Sequence, residues 1–349
     1  MKIIVERAKI QLVQNLPFVL YKKPQDFNIT GLFQKNDTLF SVTDFTEKGF
    51  VFASFDGTKT FLIPENESEI SSAIFQKEEI SVLEKEQDLP SETAKNQFEA
   101  LISKGIQAIE NNEFKKVVLS RKESLNLIDF DLIAAFEKLM QLYPTTFVYC
   151  FYHPKVGAWL GATPEQLLKA NNSKFQTIAL AGTQKDTGSN EILWQKKEQE
   201  EQQFVTDYIV EKVKTVASEI LVSKPYNLKA GSIWHIKTEI SGTLNSSSSL
   251  QEVIQLLHPT PAVCGLPKEQ AKEFIIENEN YSRTFYTGFL GELNIKNQTD
   301  LFVNLRCMEI DDTQAHLFIG CGITKDSIPE KEWEESVNKS ATMKKVLFV

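Results

Sequence analysis

The chain has 349 residues, 42% hydrophobic and 24% charged, the balance of an ordinary globular protein with one large core or two modest ones. Its formal net charge is −9 and no block of Lys and Arg occurs anywhere, which argues against a nucleic-acid partner. An anionic small substrate would therefore need local cations or a metal to enter.

Charge interrupts the N-terminal "MKIIVERAKIQ" too soon for a signal peptide, and no run reaches the roughly 18 apolar residues of a membrane span. Cys150, Cys264, Cys307 and Cys321 form no CxxC pair and lie in apolar runs, as buried thiols of a reducing compartment do. A cytoplasmic location is expected, with no membrane partner.

Residues 1 to about 85 read as short strands and turns, with a hairpin in "GFVFASFDGTKTFLIP" around Asp56-Gly57. "EKEQDLPSE", Glu84 to Glu92, is polar, carries a proline and has no apolar period. It divides the chain into a β-rich N-terminal subdomain, 1–88, integral to the fold, and a larger domain, 89–349. Phe98, Leu101, Ile102, Ile106 and Ile109 recur at helical spacing up to Asn111-Asn112. A strand follows in "NEFKKVVLSRKES", with Lys116 flush against its apolar run, then a helix in "DFDLIAAFEKLMQLYP" stopped by Pro144. "TTFVYCFYHPKVGAWLGAT" predicts two strands joined by a turn, and "GATPEQLL" a strand-to-helix turn.

"KFQTIALAGT" is another strand, and a long helix is expected from Glu191 to about Ser218. "SIWHIKTEISGTL" reads as a strand, two short helices flank "HPTPAVCGLP", and three strands are expected between Tyr286 and Ile323. A last helix runs from Pro329 to Lys345. Hairpins mixed with single strands between helices exclude a strict βαβ repeat and predict an α+β fold of large, mainly antiparallel sheets with helices packed outside. No GxGxxG, P-loop or GxSxG motif is present.

Carboxylates interrupt two helical stripes. On the long helix Trp194, Val205, Tyr208 and Ile209 share a face, which continues through Glu198 and Glu201. On the last helix Glu332, Glu335, Lys339 and Thr342 share a face beside Trp333, Val337 and Ala341. Two ExxE pairs suit a hard divalent cation such as Mg²⁺, while from spacing alone two solvated acidic helix faces are the more ordinary explanation. Glu165 after Pro164 is either a helix-start carboxylate or a functional acid. Lys116 is either an exposed edge residue or a desolvated amine. His153, His258 and His316 lack metal-ligand spacing, and His235 in its apolar strand reads as a core histidine.

The blocks "FKKVVLSR", "GATPEQLL", "IALAGT", "WHIKTEISG", "HPTPAVCGLP", "RTFYTGFLGEL", "LFVNLRC", "LFIGCGI" and "DSIPEKEWEES" occur in the order seen in the chorismate-utilising enzymes. The chain resembles that family from about residue 95 to its end. The resemblance implies an α/β sandwich and displacement of the chorismate 4-hydroxyl by a nucleophile entering at ring position 2, with Mg²⁺ on the ring carboxylate. By that resemblance Lys116 is the general base for water, where amine-using relatives carry Gln, and Glu165 is the general acid. Glu201 and Glu335 match the principal metal ligands, with Glu198 and Glu332 as the second pair. Substrate contacts carry over to Gly182, Thr183, Ala262, Tyr286, Arg306, Gly320 and Lys339.

Two departures bear on the chemistry. Aminodeoxychorismate synthases carry a covalent lysine in a PIKGT motif, and here "IALAGT" puts Ala181 at that position. Many relatives end the first metal motif with Glu-His, where this chain has Glu201-Gln202. The resemblance implies an isochorismate synthase, feeding menaquinone or siderophore synthesis. Salicylate synthase and a non-catalytic chorismate-binding subunit are the alternatives. No glutamine amidotransferase subunit is implied, and a monomer is expected.

Overall fold

The computed structural model describes residues 1–77, 91–185, 192–230 and 233–347. The chain opens with α1 (Lys2–Val13), then β1 (Phe18–Lys22), β2 (Asn28–Gln34), β3 (Phe40–Ser41), β4 (Gly49–Ala53), β5 (Thr60–Pro64) and β6 (Ser68–Ile74). After α2 (Glu92–Glu110) come β7 (Lys116–Asn126) and α3 (Leu132–Leu142). A run of strands follows: β8 (Phe147–His153), β9 (Gly157–Thr163), β10 (Gln166–Asn171) and β11 (Lys174–Lys185). Next are α4 (Lys196–Val213), β12 (Ala217–Val222), β13 (Tyr226–Ala230), β14 (Ile233–Leu244) and α5 (Leu250–Leu257). The remainder is β15 (Gly265–Leu266), α6 (Lys268–Asn278), β16 (Phe289–Ile295), β17 (Gln298–Val303), β18 (Cys307–Ile310), β19 (Gln314–Ile323) and α7 (Pro329–Leu347).

These strands build two sheets, and every pairing between them is antiparallel. One has nine strands in the order β15-β7-β19-β18-β9-β8-β1-β2-β6. The other has ten, in the order β12-β14-β11-β10-β17-β16-β4-β5-β3 with β13 on β14. The inner faces meet in an aromatic core. Phe52 of β4 stacks on Phe151 of β8 with centroids 4.5 Å apart, and Phe147 of β8 on Phe302 of β17 at 4.3 Å. Because helices cover the outer faces, the central strands are buried on both sides, and β8 reads as a near-continuous apolar run. The result is the expected α+β sandwich. The first 77 residues contribute β1, β2 and β6 to one sheet and β3, β4 and β5 to the other.

The Asp56-Gly57 hairpin forms between β4 and β5, with Gly57 at φ +78°. The Glu84–Glu92 junction lies outside the described residues except for Ser91 and Glu92, which start α2. All four cysteines are buried and free. Among the described residues no helix is long and apolar enough to cross a membrane.

Several local readings are corrected. Residues 2–13 form a helix, not a strand: only Ile4, Ala8 and Gln11 are buried, a stripe too narrow to register as a period against exposed Ile3, Ile10 and Val13. The segment after Pro164 is a strand, β10, because Leu167 and Leu168 are both buried in mid-sheet, between β11 and β17. The long helix starts only at Lys196, so Trp194 lies outside it and donates Nε1–H to Asn227 Oδ1 at 2.7 Å. It stops at Val213, since residues 217–222 pair with β14. Four strands, not three, fill the region from Tyr286 to Ile323.

Candidate active site

Lys116 is the first residue of β7, which lies between β15 and β19 and is no sheet edge. Its side chain is 19% exposed, and Nζ donates to Glu201 Oε1 of α4 at 3.1 Å. The stem runs over Gly322 of β19, where an added Cβ would stand 3.3 Å from Lys116 Cε. Glycine at 322 therefore makes room for the amine.

Glu165 sits in the two-residue crossover that takes the chain from β9 in one sheet to β10 in the other. It is not a helix-start residue, so no helix dipole explains it. Its backbone is pinned: Val303 N–H donates to its carbonyl at 2.9 Å, and Thr163 Oγ1 donates to the Val303 carbonyl at 2.6 Å. Burial pushes the half-buried carboxyl up to about 7, against the opposing pull of Thr260 Oγ1, which donates to Oε1 at 3.4 Å, and of the Lys116 charge.

Ala262, Tyr286, Arg306, Gly320 and Lys339, far apart in sequence, line one cavity. A second, smaller cavity is lined by Glu165 and Thr260, and Ala262 borders both. Tyr286 is buried, and a Cβ at Gly320 would come within 2.6 Å of its hydroxyl, so only glycine fits at 320. Arg306 occupies the β17–β18 turn at φ +48°, and its carbonyl accepts from Ala162 N–H at 3.0 Å. Burial pushes its guanidinium down from the ordinary arginine value, yet arginine remains a cation in water-accessible pH. Lys339 Nζ donates to the Gly320 carbonyl at 3.0 Å and pairs with Glu335 Oε1 at 2.5 Å. The cavity thus holds two cations and one phenol around an apolar floor.

Gly182 lies at φ +72° where the β11–β14 register breaks, a bulge only glycine forms cheaply. A Cβ there would approach Glu198 to 3.3 Å, so the bulge seats α4 against β11. Thr183 follows on β11 opposite His235, whose Nδ1 lies 3.0 Å from the Gly182 carbonyl. His235 is half-buried and stands in the fields of Lys339, Arg306 and Glu201; burial lowers its pKa. It borders the site rather than the core assigned to it from sequence.

The two ExxE pairs are not merged. Glu332 and Glu335, with Cys321 Sγ, lie within 4.8 Å of one another, and among the described residues no group of three such donors includes Glu198 or Glu201. Burial pushes the Glu332 carboxyl up, and the Glu335 charge adds to it. Glu198 Oε2 is buried without a hydrogen-bond partner. The crowded carboxylates of Glu332 and Glu335 are donors of the kind a hard divalent cation takes, and the orphaned oxygen of Glu198 is another, on α4. The Cys321 thiol, pushed up to about 12 by burial, stays protonated and suits such an ion poorly. Gln202, where many relatives carry His, is buried, and its Nε2 donates to the hydroxyls of Thr206 and Thr238 at 2.9 and 2.6 Å.

Sequence reasoning missed the support behind the cavity. Arg283 and Glu279 form a fully buried bidentate pair at 2.8 and 2.6 Å. Arg283 also donates to the carbonyls of Val118 and Val263 and to Thr287 Oγ1, tying three cavity walls together. The available signal was an oppositely charged i,i+4 pair opening the apolar block "RTFYTGF".

The family model for chorismate binding enzymes matches residues 56–348. The chain belongs to the chorismate-binding enzymes. It is 32% identical over 281 residues to "Isochorismate synthase EntC" of Escherichia coli (strain K12), covering 76% of this chain and 69% of that one. In structure this family member is similar to MenF, the menaquinone-specific isochorismate synthase of Escherichia coli, with TM-score 0.80 and 22% identity over 95% of this chain and 89% of that one. It is likewise similar to a putative 2,3-dihydroxybenzoate-specific isochorismate synthase, DhbC, of Bacillus anthracis, with TM-score 0.77 and 23% identity over 98% and 99% of the two chains. Both structures share the two-sheet fold of the chorismate-binding enzymes.

Proposed function

We propose that the chain is an isochorismate synthase, converting chorismate to isochorismate by water attack at ring position 2 and loss of the 4-hydroxyl. One observation carries the reading: an amine, Lys116, and a carboxyl held near pH 7, Glu165, stand in each other's field beside a cavity lined by Arg306 and Lys339. An acid and a base are what water addition with hydroxyl loss requires.

In its neutral form Lys116 Nζ takes a proton from the attacking water. Glu165 keeps its proton to near neutral pH because burial disfavours its anion, and gives that proton to the departing hydroxyl, which leaves as water. One water enters and one leaves, so the product is an isomer. Arg306 offers a planar fork to the enolpyruvyl carboxylate, and Lys339 a second cation for the dianion. Ala181 of β11 offers only a buried methyl at the position of the covalent lysine in aminodeoxychorismate synthases, which leaves water as the nucleophile. Glu201 and Glu335, with Glu198 and Glu332, would hold Mg²⁺, which when bound supplies positive charge to the ring carboxylate.

The test is incubation of the purified protein with chorismate and Mg²⁺, with chromatographic identification of the product. Isochorismate is expected. Salicylate with pyruvate would move the reading to salicylate synthase, and chorismate binding without turnover would make the chain a non-catalytic subunit.

A further inference from the structure

Behind the carboxylates of α7 lies a buried polar clamp that the proposed reaction does not use. Arg121 of β7 is 8% exposed. Its Nε donates to Ser336 Oγ at 2.8 Å and its Nη1 to Glu123 Oε2 at 2.9 Å, while the guanidinium carbon lies 4.7 Å from the Trp333 ring centroid. Glu123 takes a second cation, Lys344 Nζ, at 2.6 Å, and Ser336 Oγ donates to the Trp333 carbonyl at 2.8 Å. Arg121 Nη2 is buried with no hydrogen-bond partner.

Such an arrangement is a poor source of stability. Buried ion pairs of this kind often give no net gain over well-packed apolar groups. An orphaned buried donor costs about 1–3 kcal/mol on top. Its gain is geometric. Trp333 and Ser336 each follow by one residue a group of the candidate site, Glu332 and Glu335, about 100° further round the helix. The hydrogen bond of Arg121 to Ser336 and its stack on Trp333, gripping one side of α7, fix both its rotation and its height. The strand that does so is the one that begins with Lys116, so β7 sets the amine and the acidic helix in a common frame.

We propose that Arg121 is a positioning residue that holds α7 so that Glu332 and Glu335 stay grouped and Lys339 lines the cavity, an inference resting on the reading of those residues as metal- and substrate-holding groups. Positions of such groups matter at the scale of an ångström, where a misplacement of about 1 Å can cost about 10²-fold in rate.

Arg121→Lys keeps the charge beside Glu123 but loses the fork and the stack, and Ser336→Ala removes one acceptor of the fork. Lys344→Met is the structural control, one helical turn and more beyond Lys339. Mn²⁺ binding followed by electron paramagnetic resonance, kcat and chorismate KM across a Mg²⁺ titration, and melting temperature are measured on each. Arg121→Lys and Ser336→Ala should weaken Mn²⁺ binding by about 10- to 100-fold, the usual effect of losing an outer support of a metal site, and lower kcat. Lys344→Met should melt earlier without the about 10- to 100-fold loss of Mn²⁺ affinity. Native metal affinity and kcat in both Arg121→Lys and Ser336→Ala, with only a lower melting temperature, overturns the inference. Should Arg121→Lys fail to fold, Ser336→Ala carries the test. A native protein that binds no Mn²⁺ and works in chelator overturns the carboxylate reading itself, before any variant is made.

Discussion

Replacing Glu165 by Gln should make the protein less active and, above neutral pH, more stable. The shape is kept and the ionisation is removed. Burial raises the folded-state carboxyl from 4.5 to about 7, with Thr260 and Lys116 opposing only in part. Below pH 4.5 folded and unfolded chains both carry the proton, and the group contributes no difference. Between 4.5 and about 7 the unfolded chain releases its proton while the folded chain keeps it, so native stability falls as pH rises. Above both values the folded state bears the whole cost of the buried anion, about 3 kcal/mol. Glu165→Gln has no such cost. Urea unfolding at pH 4.5 should therefore find the two proteins nearly equal, and at pH 8.5 the variant should be more stable by an amount approaching that figure. Turnover of chorismate should fall by ~10²–10⁴ with KM little changed, since the lost proton acts in the transition state. Native kcat/KM should decline as pH rises through about 7. A variant that turns over at the native rate, or one whose stability difference is the same at both pH values, refutes the reasoning.

Lys116→Ala and Lys116→Gln should each lose water addition by ~10²–10⁴ while the fold survives, and a folded variant of native rate would end the mechanism. Excess chelator should abolish activity and Mg²⁺ restore it, and Glu335→Gln should need more Mg²⁺ and turn over more slowly; full activity in chelator would sink the metal assignment. With ammonium at high pH the native protein should form no aminated product detectable by mass spectrometry, because Lys116 and Ala181 leave water as nucleophile. Glu279→Gln should destabilise by about 3–5 kcal/mol, as removal of one partner leaves Arg283 a buried uncompensated charge, checked by urea unfolding at pH 7.

The sequence determined by itself whatever depends on neighbours along the chain. The apolar period of Phe98, Ile102 and Ile109 announced α2, the apolar run after Lys116 announced β7, and Asp56-Gly57 announced a hairpin. These features rest on periodicity and turn chemistry, which span only a few residues. The family resemblance also named Ala262, Tyr286, Arg306, Gly320 and Lys339, and the fold gathers all five at one cavity. Tertiary structure decided what depends on distant partners. Leu167 and Leu168 look like the start of a helix until the strand that holds them pairs with β17 on one side and β11 on the other. Nothing near Glu165 in sequence reveals that it crosses between two sheets, where loss of water holds its carboxyl near 7. Lys116 meets a carboxylate 85 residues away, and Arg283 reaches a carbonyl 165 residues away. Burial and charge pairing set the chemistry of these groups, and both are properties of chain segments brought together from afar, which no local pattern encodes.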